Sequence, residues 1–311
     1  MNLKKKKLNA VQTGYLWVIL YISMGGFNGI ISSAFAGRLT PLELAFGRWF
    51  IAALCLIPVL IHDRHELASY ISKYWKLFAV MGLLGMALPN YAFYTAGHTT
   101  SALNMVLVNR IYPVFVFILS IVFLKERGSL HQLGGMALAI FGVFYLILKG
   151  SIENLIHLNF VAGDLWVLFS AFVFASYSII QERRPTDISQ ILQLTLTVWA
   201  ASLMMMPFFA YEQIISGHAL HLTWDEWGVL AFLGIGLSVL GYFAWNTIIE
   251  RFGSVRASVF TFATPLVTAF WAYVLLGDGV TMQQIIGGIF ILLGVYIADK
   301  PDKRKKFRLE F

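Results

Sequence analysis

Ten apolar stretches of about 20 residues divide the chain, and each is long enough to cross the roughly 30 Å hydrocarbon core of a bilayer as a helix. Of the 311 residues, 59% are apolar and 13% are charged, about half the charged fraction of a soluble protein. One soluble core could not bury so much apolar surface. The sequence therefore predicts an all-α membrane protein and excludes a cytosolic enzyme or a nucleic-acid-binding protein. The predicted spans are 14–35, 42–61, 77–96, 101–123, 131–148, 163–181, 191–212, 226–248, 255–276 and 281–298.

The basic residues are distributed unevenly over the segments that join these spans. With a cytoplasmic N-terminus, 19 of the 23 lysines and arginines fall on the cytoplasmic side. Arg38 and Lys149 fall on the other side, and Arg48 and Arg110 lie inside spans. Because positively charged loops stay in the cytoplasm, this distribution predicts a multi-pass protein of the cell inner membrane with both termini in the cytoplasm.

The second half of the chain repeats the first. The segment GYLWVIL at 14–20 matches GDLWVLF at 163–169, an offset of 149 residues. Later the offset becomes 152, which pairs Pro113 with Pro265 and Gly135 with Gly287. Each unit holds five predicted spans, and because five is an odd number the second unit must enter the membrane from the opposite side. The sequence thus predicts ten transmembrane helices as two inverted five-helix repeats, an architecture typical of secondary transporters.

Both repeats end in the same pattern, and this pattern resembles a known family. A small residue leads through an apolar run to a proline, an apolar helix, an acidic residue and a last helix that contains glycines. The two segments read TTSALNMVLVNRIYPVFVFILSIVFLKERGSLHQLGGMALAIFGVFYLI and FGSVRASVFTFATPLVTAFWAYVLLGDGVTMQQIIGGIFILLGVYIA. Together with Pro41 and Arg48 in TPLELAFGRWF, they resemble the EamA family of the drug/metabolite transporter superfamily over nearly the whole chain.

The resemblance implies ten helices in two repeats and transport of small metabolites, often export. We therefore expect a first repeat at 1–148, a linker at 149–162, a second repeat at 163–299 and a basic cytoplasmic tail at 300–311. The expected activity is secondary transport, by alternating access, of small organic metabolites such as amino acids and related zwitterions. Export of amphipathic drugs or nucleotide-like anions is the alternative. A membrane scaffold and a lipid-modifying enzyme are the alternatives of a different class.

Polar residues at equivalent depth in the fourth and ninth spans predict a shared central cavity. Asn109 and Tyr112 are three residues apart and therefore lie on one helix face. The repeat pairs them with Thr261 and Thr264, which are also polar. The alternative interpretation is that these side chains only bond neighbouring helices or their own backbone.

Two prolines, Pro113 and Pro265, lie near the middle of the same spans. Each lacks an N–H and disrupts the hydrogen bond to the carbonyl four residues earlier. The carbonyls released in this way belong to Asn109 and Thr261, the polar positions just described. The prolines are therefore predicted to form hinges or solute-binding kinks, with a static kink as the alternative.

Two arginines inside the spans are the most expensive residues to bury in lipid, at about 2.5–3.5 kcal/mol each on insertion scales. The planar guanidinium suits a carboxylate or a phosphate, so Arg110 is predicted to attract an anionic group of the substrate. For either arginine, a structural ion pair with Glu43 or bonds to helix-end carbonyls is the alternative. For Arg48 a structural or gating role is predicted alongside substrate binding.

Aromatic and amide side chains on the third and eighth spans predict the walls of the cavity, where they would face a flat or amphipathic solute. Ordinary anchoring at the membrane interface is the alternative. Further candidates lie on the first, sixth and seventh spans. The residues of the third and eighth spans are Asn90, Tyr91, Tyr94, Tyr242, Trp245 and Asn246, and the further candidates are Asn28, Tyr177 and Trp199.

No catalytic residue, cofactor or metal site is expected. The spans contain no cluster of nucleophile, acid and base at a common depth, and the single cysteine, Cys55, cannot build a Cys-rich metal site. The expected partners are a small-molecule substrate, the lipid bilayer and a coupling proton, with no nucleic acid. Because no carboxylate lies in the middle of a span, proton coupling would use Glu43 or an acid at a helix end, Glu126 or Asp278.

Small residues form one face of each repeat's last helix. Gly135, Ala139 and Gly142 lie on the fifth predicted span, and Gly287 and Gly294 lie on the tenth. Such faces let helix backbones approach closely. The two helices are therefore predicted to pack against each other or to form a homodimer.

Overall fold

The computed structural model describes residues 10–35, 38–126, 128–151, 153, 160–216, 222–276 and 281–299. The basic tail and most of the predicted linker lie outside the described residues, as does Asp278. The side chain of Asn28 is likewise outside the described part of the structure.

Helices make up most of the described chain, and each of the ten predicted spans overlaps one of them. Three of these helices are composite, and the first of them, α2, consists of Pro41–Cys55 and Ile57–His62. Helix α4 is interrupted at Arg110 and Ile111, and α9 consists of Ser254–Phe260, the 3-10 turn Thr261–Ala263 and Thr264–Leu276. The other bounds are α1 Ala10–Phe35, α2 Pro41–His62, α3 Leu67–Gly97, α4 Leu103–Leu124, α5 Leu130–Ile147, α6 Ala162–Glu182, α7 Gln190–Ser216, α8 Trp224–Phe252 and α10 Met282–Asp299.

Eight of these helices, all except α1 and α9, are long and apolar enough to cross a membrane within the described residues. The third helix begins ten residues before its predicted span, because 67–76 continues the helix instead of forming a loop. This extension is amphipathic, with Lys73 and Lys76 on a helix that the sequence pattern assigned to a connecting segment. The protein is therefore an all-α, multi-pass membrane protein.

The last helices of the two repeats, α5 and α10, interlock through their glycines. A Cβ atom on Gly135 would lie 2.6 Å from the carbonyl oxygen of Gly294, and a Cβ on Gly294 would lie 2.6 Å from the oxygen of Gly135. Gly142 and Gly287 meet in the same way, at 2.8 Å in each direction. Glycine is required at these positions because the opposing atoms are main chain, which cannot rotate away.

The order of these contacts shows how the repeats are related. As the chain advances along α5 from Gly135 to Gly142, it retreats along α10 from Gly294 to Gly287, so the two helices are antiparallel. The repeat offset maps Gly135 onto Gly287 and Gly142 onto Gly294, which exchanges the two contacts with each other. The two halves are therefore related by a two-fold axis that runs across the helices and reverses their direction. The prediction of inverted repeats is confirmed.

The start of α1 and the end of α10 lie on the same side of the bundle. The hydroxyl of Tyr15 donates to Asp299 at 3.0 Å, and the Nη2 of Arg256 donates to the same carboxylate at 2.6 Å. We call this the terminal side and the other the opposite side. Because α5 is antiparallel to α10, the C-terminal end of α5 and the first turn of α10 lie on the opposite side.

Helix geometry is irregular in both repeats near the middle of the bundle. Helix α3 contains a π-helical turn at Leu83–Ala87, and α8 contains a longer one at Phe232–Leu240. The repeat offset of 152 superimposes the first on the second. π-helical turns are rare and occur frequently at functional sites, because the extra residue turns the following side chains towards a new direction.

Candidate functional site

A cavity of about 590 Å³ lies between the two repeats. Its lining includes Leu146 and Ile147 at the end of α5 and Gln284 in the first turn of α10, so it extends to the opposite side of the bundle. Arg48 and Arg110 supply two positive charges, and the described lining includes no aspartate or glutamate. The remaining lining residues are Tyr21, Gly25, Pro89, Asn90, Phe93, Leu103, Met105, Val106, Asn109, Tyr112, Ser170, Ala171, Phe174, Leu237, Tyr242, Thr261, Thr264, Pro265, Thr268 and Ala269.

Arg110 joins the two repeats at the wall of the cavity. Its Nη1 donates to the carbonyl oxygen of Thr261 at 2.7 Å, and its Nε donates to that of Val106 at 3.2 Å. The first of these is the carbonyl four residues before Pro265, which the proline leaves without its usual helical partner. Within the described chain the Nη2 group has no hydrogen-bond partner, and a guanidinium offers five donors. The guanidinium therefore keeps hydrogen-bond donors available to a molecule in the cavity.

Polar side chains of α4 and α9 face the same space as Arg110. The side-chain amide of Asn109 lines the cavity and bonds to no described residue. Thr261, Thr264 and Thr268 line it from α9. Asn109, Tyr112, Thr261 and Thr264, which were predicted to surround one central space, all line this cavity.

Arg48 is buried in a network of neutral groups beside the cavity. Its Nε donates to the hydroxyl of Ser238 at 2.6 Å, and its Nη1 donates to Asn90 Oδ1 at 2.7 Å and to the Tyr94 hydroxyl at 3.1 Å. The guanidinium also lies 5.0 Å from the centre of the Trp49 ring. These bonds tie α2, α3 and α8 together, which fits the predicted structural role.

The alternative partner of Arg48, Glu43, is occupied elsewhere. Its Oε2 accepts a hydrogen bond from the backbone N–H of Thr40 at 2.8 Å, which forms a capping box at the start of α2. Its Oε1 accepts one from the side-chain amide of Gln213 at 3.0 Å. The carboxylate thus joins α2 to α7 at the opposite side of the bundle.

The π-helical turn of α3 leaves two carbonyls for side-chain donors. Pro89 has no N–H, and the oxygen of Gly85, four residues earlier, accepts the hydroxyl of Tyr242 at 2.5 Å. The next carbonyl, that of Met86, accepts Trp49 Nε1 at 3.1 Å and Asn90 Nδ2 at 2.8 Å. The irregular turn therefore fixes the orientation of two cavity-lining side chains, Asn90 and Tyr242.

Beneath the cavity, towards the terminal side, aromatic rings pack around Phe174. Its ring centre lies 5.4–5.9 Å from those of Tyr112, Tyr177, Tyr242 and Trp245. We call these five residues the aromatic plug. Aromatic pairs at such distances are attractive beyond their buried area, so the plug closes the cavity from the terminal side.

Hydrogen bonds hold the helices of the plug together. The Ser178 hydroxyl oxygen lies 2.9 Å from the Tyr112 hydroxyl and accepts Trp245 Nε1 at 3.3 Å, which connects α6 to α4 and α8. The Tyr177 hydroxyl donates to Asn246 Oδ1 at 2.8 Å. Breaking the plug requires these buried polar groups to find other partners, which is costly in an apolar interior.

Polar contacts between helices also close the terminal side, about one helical turn beyond the plug. Glu182 Oε2, at the end of α6, accepts the backbone N–H of Ser254 at the start of α9, at 2.7 Å. Arg184 pairs with Glu250 of α8 at 3.1 Å. The cavity is therefore open towards one side of the bundle and closed by two successive layers towards the other.

Six of the predicted site residues do not line the cavity, and their positions differ. Tyr177, Trp245 and Asn246 belong to the plug or bond to it, while Tyr94 binds Arg48. Tyr91 is 38% exposed and packs edge-on against Trp166, and Trp199 has a buried Nε1 without a described partner. Of the two predicted hinges, Pro265 lines the cavity and Pro113 is buried behind it.

Four lining residues that the sequence interpretation missed had a signal in the repeats. The offset of 149 pairs Tyr21 with Ser170 and Gly25 with Phe174, and all four line the cavity. Tyr21 stacks on Trp245 with ring centres 4.8 Å apart, so its ring continues the plug into the cavity wall. Symmetry between lining positions, rather than polarity alone, would have identified these residues.

Several known proteins are similar to this chain. The "Uncharacterized transporter YyaM" of Bacillus subtilis (strain 168) is 28% identical over 287 residues, which cover 90% of this chain and 93% of that protein. The "Probable amino-acid metabolite efflux pump" of Escherichia coli (strain K12) is 26% identical over 301 residues, which cover 90% and 92%. One solved crystal structure of a protein superposes with a TM-score of 0.70 at 17% identity and covers 93% of this chain and 96% of its own, which supports the fold alone.

The match to a family model is broader. The model of the EamA-like transporter family matches twice, over residues 12–148 and 161–298, once for each repeat. Apart from the first two residues of α1 and the last of α10, these two matches cover the helices, the glycine seam between α5 and α10, and every residue that lines the cavity. The chain therefore belongs to the EamA-like transporter family.

Proposed function

We propose that this protein is a secondary transporter that exports small organic metabolites across the cell inner membrane by alternating access. Amino acids and related zwitterions are the favoured substrates. The observation that carries the proposal is the guanidinium of Arg110, which lines the cavity and whose Nη2 group has no hydrogen-bond acceptor among the residues that the structure describes. A substrate carboxylate would satisfy these donors bidentately and offset part of the cost of burying the charge.

The apolar part of the lining suits the rest of such a molecule. Phe93, Leu103 and Phe174 face the cavity, and a volume of about 590 Å³ is within the range of small-molecule sites. Two relatives carry the printed name of a probable amino-acid metabolite efflux pump, which supports the same substrate class.

The distribution of basic residues supports a cytoplasmic location for the terminal side. The cavity would then face the outside, as expected for an exporter after release of its substrate. The return step requires the aromatic plug and the ties at Glu182 and Arg184 to open while the opposite side closes. Inverted repeats are suited to this exchange because each half can adopt the arrangement of the other.

Counterflow in proteoliposomes tests the proposal. Vesicles containing the purified protein are loaded with unlabelled amino acids, one at a time, and the entry of the labelled compound is followed. We expect saturable counterflow for at least one member of the panel. Arg110→Met should abolish it, whereas Arg251→Met, which removes an arginine that binds Thr13 outside the cavity, should leave it intact.

A net-anionic substrate is the second candidate, because the described lining has two arginines and no carboxylate. Nucleotide-like anions would use both charges. The same vesicles distinguish the two classes: counterflow of nucleoside monophosphates without counterflow of any amino acid would favour the second candidate. Transport of neither class would contradict both.

A further inference from the structure

Three threonines form a stripe along one face of α9. Thr261, Thr264 and Thr268 are spaced three and four residues apart, which places neighbouring side chains about 5–6 Å from each other on one side of a helix. All three line the cavity. The stripe begins at the 3-10 turn before Pro265 and runs towards the opposite side of the bundle.

The hydroxyl hydrogen of each threonine is already used. Thr261 Oγ1 donates to the Ser258 oxygen at 2.6 Å, Thr264 Oγ1 to the Thr261 oxygen at 2.8 Å, and Thr268 Oγ1 to the Thr264 oxygen at 3.0 Å. A carbonyl cannot donate, so the direction of these bonds is fixed. Each hydroxyl retains acceptor lone pairs, and it can present only these to the cavity.

The stripe lies next to the anion-binding donors of Arg110. Arg110 Nη1 is 2.7 Å from the carbonyl oxygen of Thr261, and Thr264 is the next residue of the stripe. A carboxylate on Arg110 therefore has donors on one side and acceptor oxygens on the adjacent helix. In an α-amino acid the carboxylate and the ammonium are attached to the same carbon, which matches this arrangement.

We propose that Thr264, with Thr261 and Thr268 on either side, forms the binding site for the protonated amino group of the substrate. The inference rests on the proposed function and makes it more specific. An ammonium offers three donors and no acceptor, so it requires oxygens whose own hydrogens point elsewhere. Asn109, whose amide bonds to no described residue, supplies a further oxygen from α4.

Neutral oxygens have an advantage over a carboxylate in this position. An aspartate beside Arg110 would form a buried ion pair and remove the donors that the substrate needs. Hydroxyl acceptors bind the ammonium by charge-assisted hydrogen bonds without competing for the guanidinium. The site would therefore select compounds that carry both charged groups.

Matched compounds test the amino-group site on the purified full-length protein. The probes are L-leucine, isocaproate (leucine without the amino group) and isoamylamine (leucine without the carboxylate), with the corresponding set for L-phenylalanine. Binding is measured by the ligand-induced shift in melting temperature and by competition in counterflow. We expect the wild type to bind the amino acid at least about tenfold more tightly than either analogue, the order of one charge-assisted hydrogen bond.

Variants of Thr264 separate the contribution of the amino group to binding from that of the carboxylate. Thr264→Val keeps the β-branched shape and removes the acceptor, so it should lower amino-acid affinity about tenfold and leave isocaproate binding unchanged. Thr264→Ser should restore the preference. Thr195→Val and Thr197→Val remove hydroxyls that bond in the same way to the Ile191 and Gln193 carbonyls of α7, away from the cavity, and should change neither affinity.

Several results would overturn the inference. If the wild type binds isocaproate as tightly as leucine, the proposed amino-group site is wrong, and the proposed carboxylate site at Arg110 is unaffected. An equal loss of both affinities in Thr264→Val, with no recovery in Thr264→Ser, would give the residue a structural role only. A wild type that binds none of the six compounds would overturn the proposed substrate class, and with it this site.

Discussion

Arg110 of the first repeat and Thr261 of the second are joined by a 2.7 Å hydrogen bond from Nη1 to the main-chain oxygen. The bond crosses between α4 and α9 where each helix is interrupted in front of its proline. Thr264 Oγ1 donates to the same oxygen at 2.8 Å. In the proposed transport cycle, a substrate that draws the guanidinium towards itself would change a contact between the repeats and so couple binding to the conformational change.

The first prediction concerns Arg110→Met. Transport of a carboxylate-bearing substrate should be abolished, while thermal stability should be retained or slightly increased. The Thr261 oxygen keeps its bond from Thr264, so the substitution removes a buried charge without leaving that carbonyl unpaired. Melting temperature and counterflow are measured on the same sample. Lower stability together with normal activity per folded molecule would contradict the substrate role and leave Arg110 as a structural residue.

The second prediction concerns the plug. Ser178→Ala removes a hydroxyl shared by Tyr112 and Trp245, and the two buried donors then lack a partner. We expect a loss of about 1–3 kcal/mol in the stability of the closed terminal side. In a Cys55→Ser background, which removes the native exposed thiol, Asn246→Cys should then react faster with a thiol reagent added from that side. Ser176→Ala is the control, because its hydroxyl bonds only to the Phe172 oxygen on an exposed face of the same helix. Equal reactivity in both variants would show that the plug is not a gate.

The third prediction concerns the seam between α5 and α10. Gly142→Ala places a Cβ 2.7 Å from the Ile291 nitrogen, which is main chain, so the helices must separate. We expect a lower melting temperature and, since one extra methyl in a tight core costs about 1–3 kcal/mol, a clear effect from a single atom. Gly134→Ala is the matched control on the same helix, because no atom lies within 4 Å of its Cβ position. Similar melting temperatures for the two variants would argue against a tight seam.

The fourth prediction concerns pH at the terminal side. Hydrogen bonds from Lys73, at 2.7 Å, and from Tyr74, at 2.8 Å, lower the pKa of the Asp187 carboxyl below its ordinary value. Because folding lowers the pKa of Asp187, its interactions contribute their full stabilisation at pH values above the pKa of the unfolded chain, about 4. This stabilisation is lost as the pH falls through the pKa of Asp187 in the folded protein.

Amide hydrogen exchange of residues 183–189 measures how strongly the interactions of Asp187 protect this loop from opening. Wild type should be better protected than Asp187→Asn at neutral pH, and the difference should disappear as the pH falls below the folded pKa. Asp63→Asn, in a different loop, should behave like wild type at every pH. A difference between wild type and Asp187→Asn that persists in acid would exclude the ion pair as its source.

The sequence predicted the repeats well because their signals are local and periodic. Apolar length defined the spans, and the glycine positions of α5 and α10 marked the helix faces that meet. Prolines marked the interruptions of α4 and α9, where the loss of an N–H does not depend on the surroundings.

The orientation of individual side chains was not predictable in the same way. The π-helical turn Phe232–Leu240 precedes Tyr242, Trp245 and Asn246, and each extra residue rotates the following side chains by about 100°. Tyr242 faces the cavity, and Trp245 and Asn246, three and four residues farther along the same helix face, lie in the layer beneath it. Similarly, the commitment of the threonine hydroxyls to backbone carbonyls depends on rotamers that a sequence pattern does not specify.

The glycine seam limits how the protein can move. Gly135 and Gly142 interlock with Gly294 and Gly287 through main-chain atoms, so a slide of α5 along α10 would bring side chains against the opposing main chain. Rotation about their common crossing point does not meet this obstacle. In the proposed cycle α5 and α10 would stay together as a fixed pair, and the other helices would tilt relative to them. In the proposed transport cycle, α5 and α10 would keep one boundary of the cavity constant while the remaining walls move, so that the two halves stay in register.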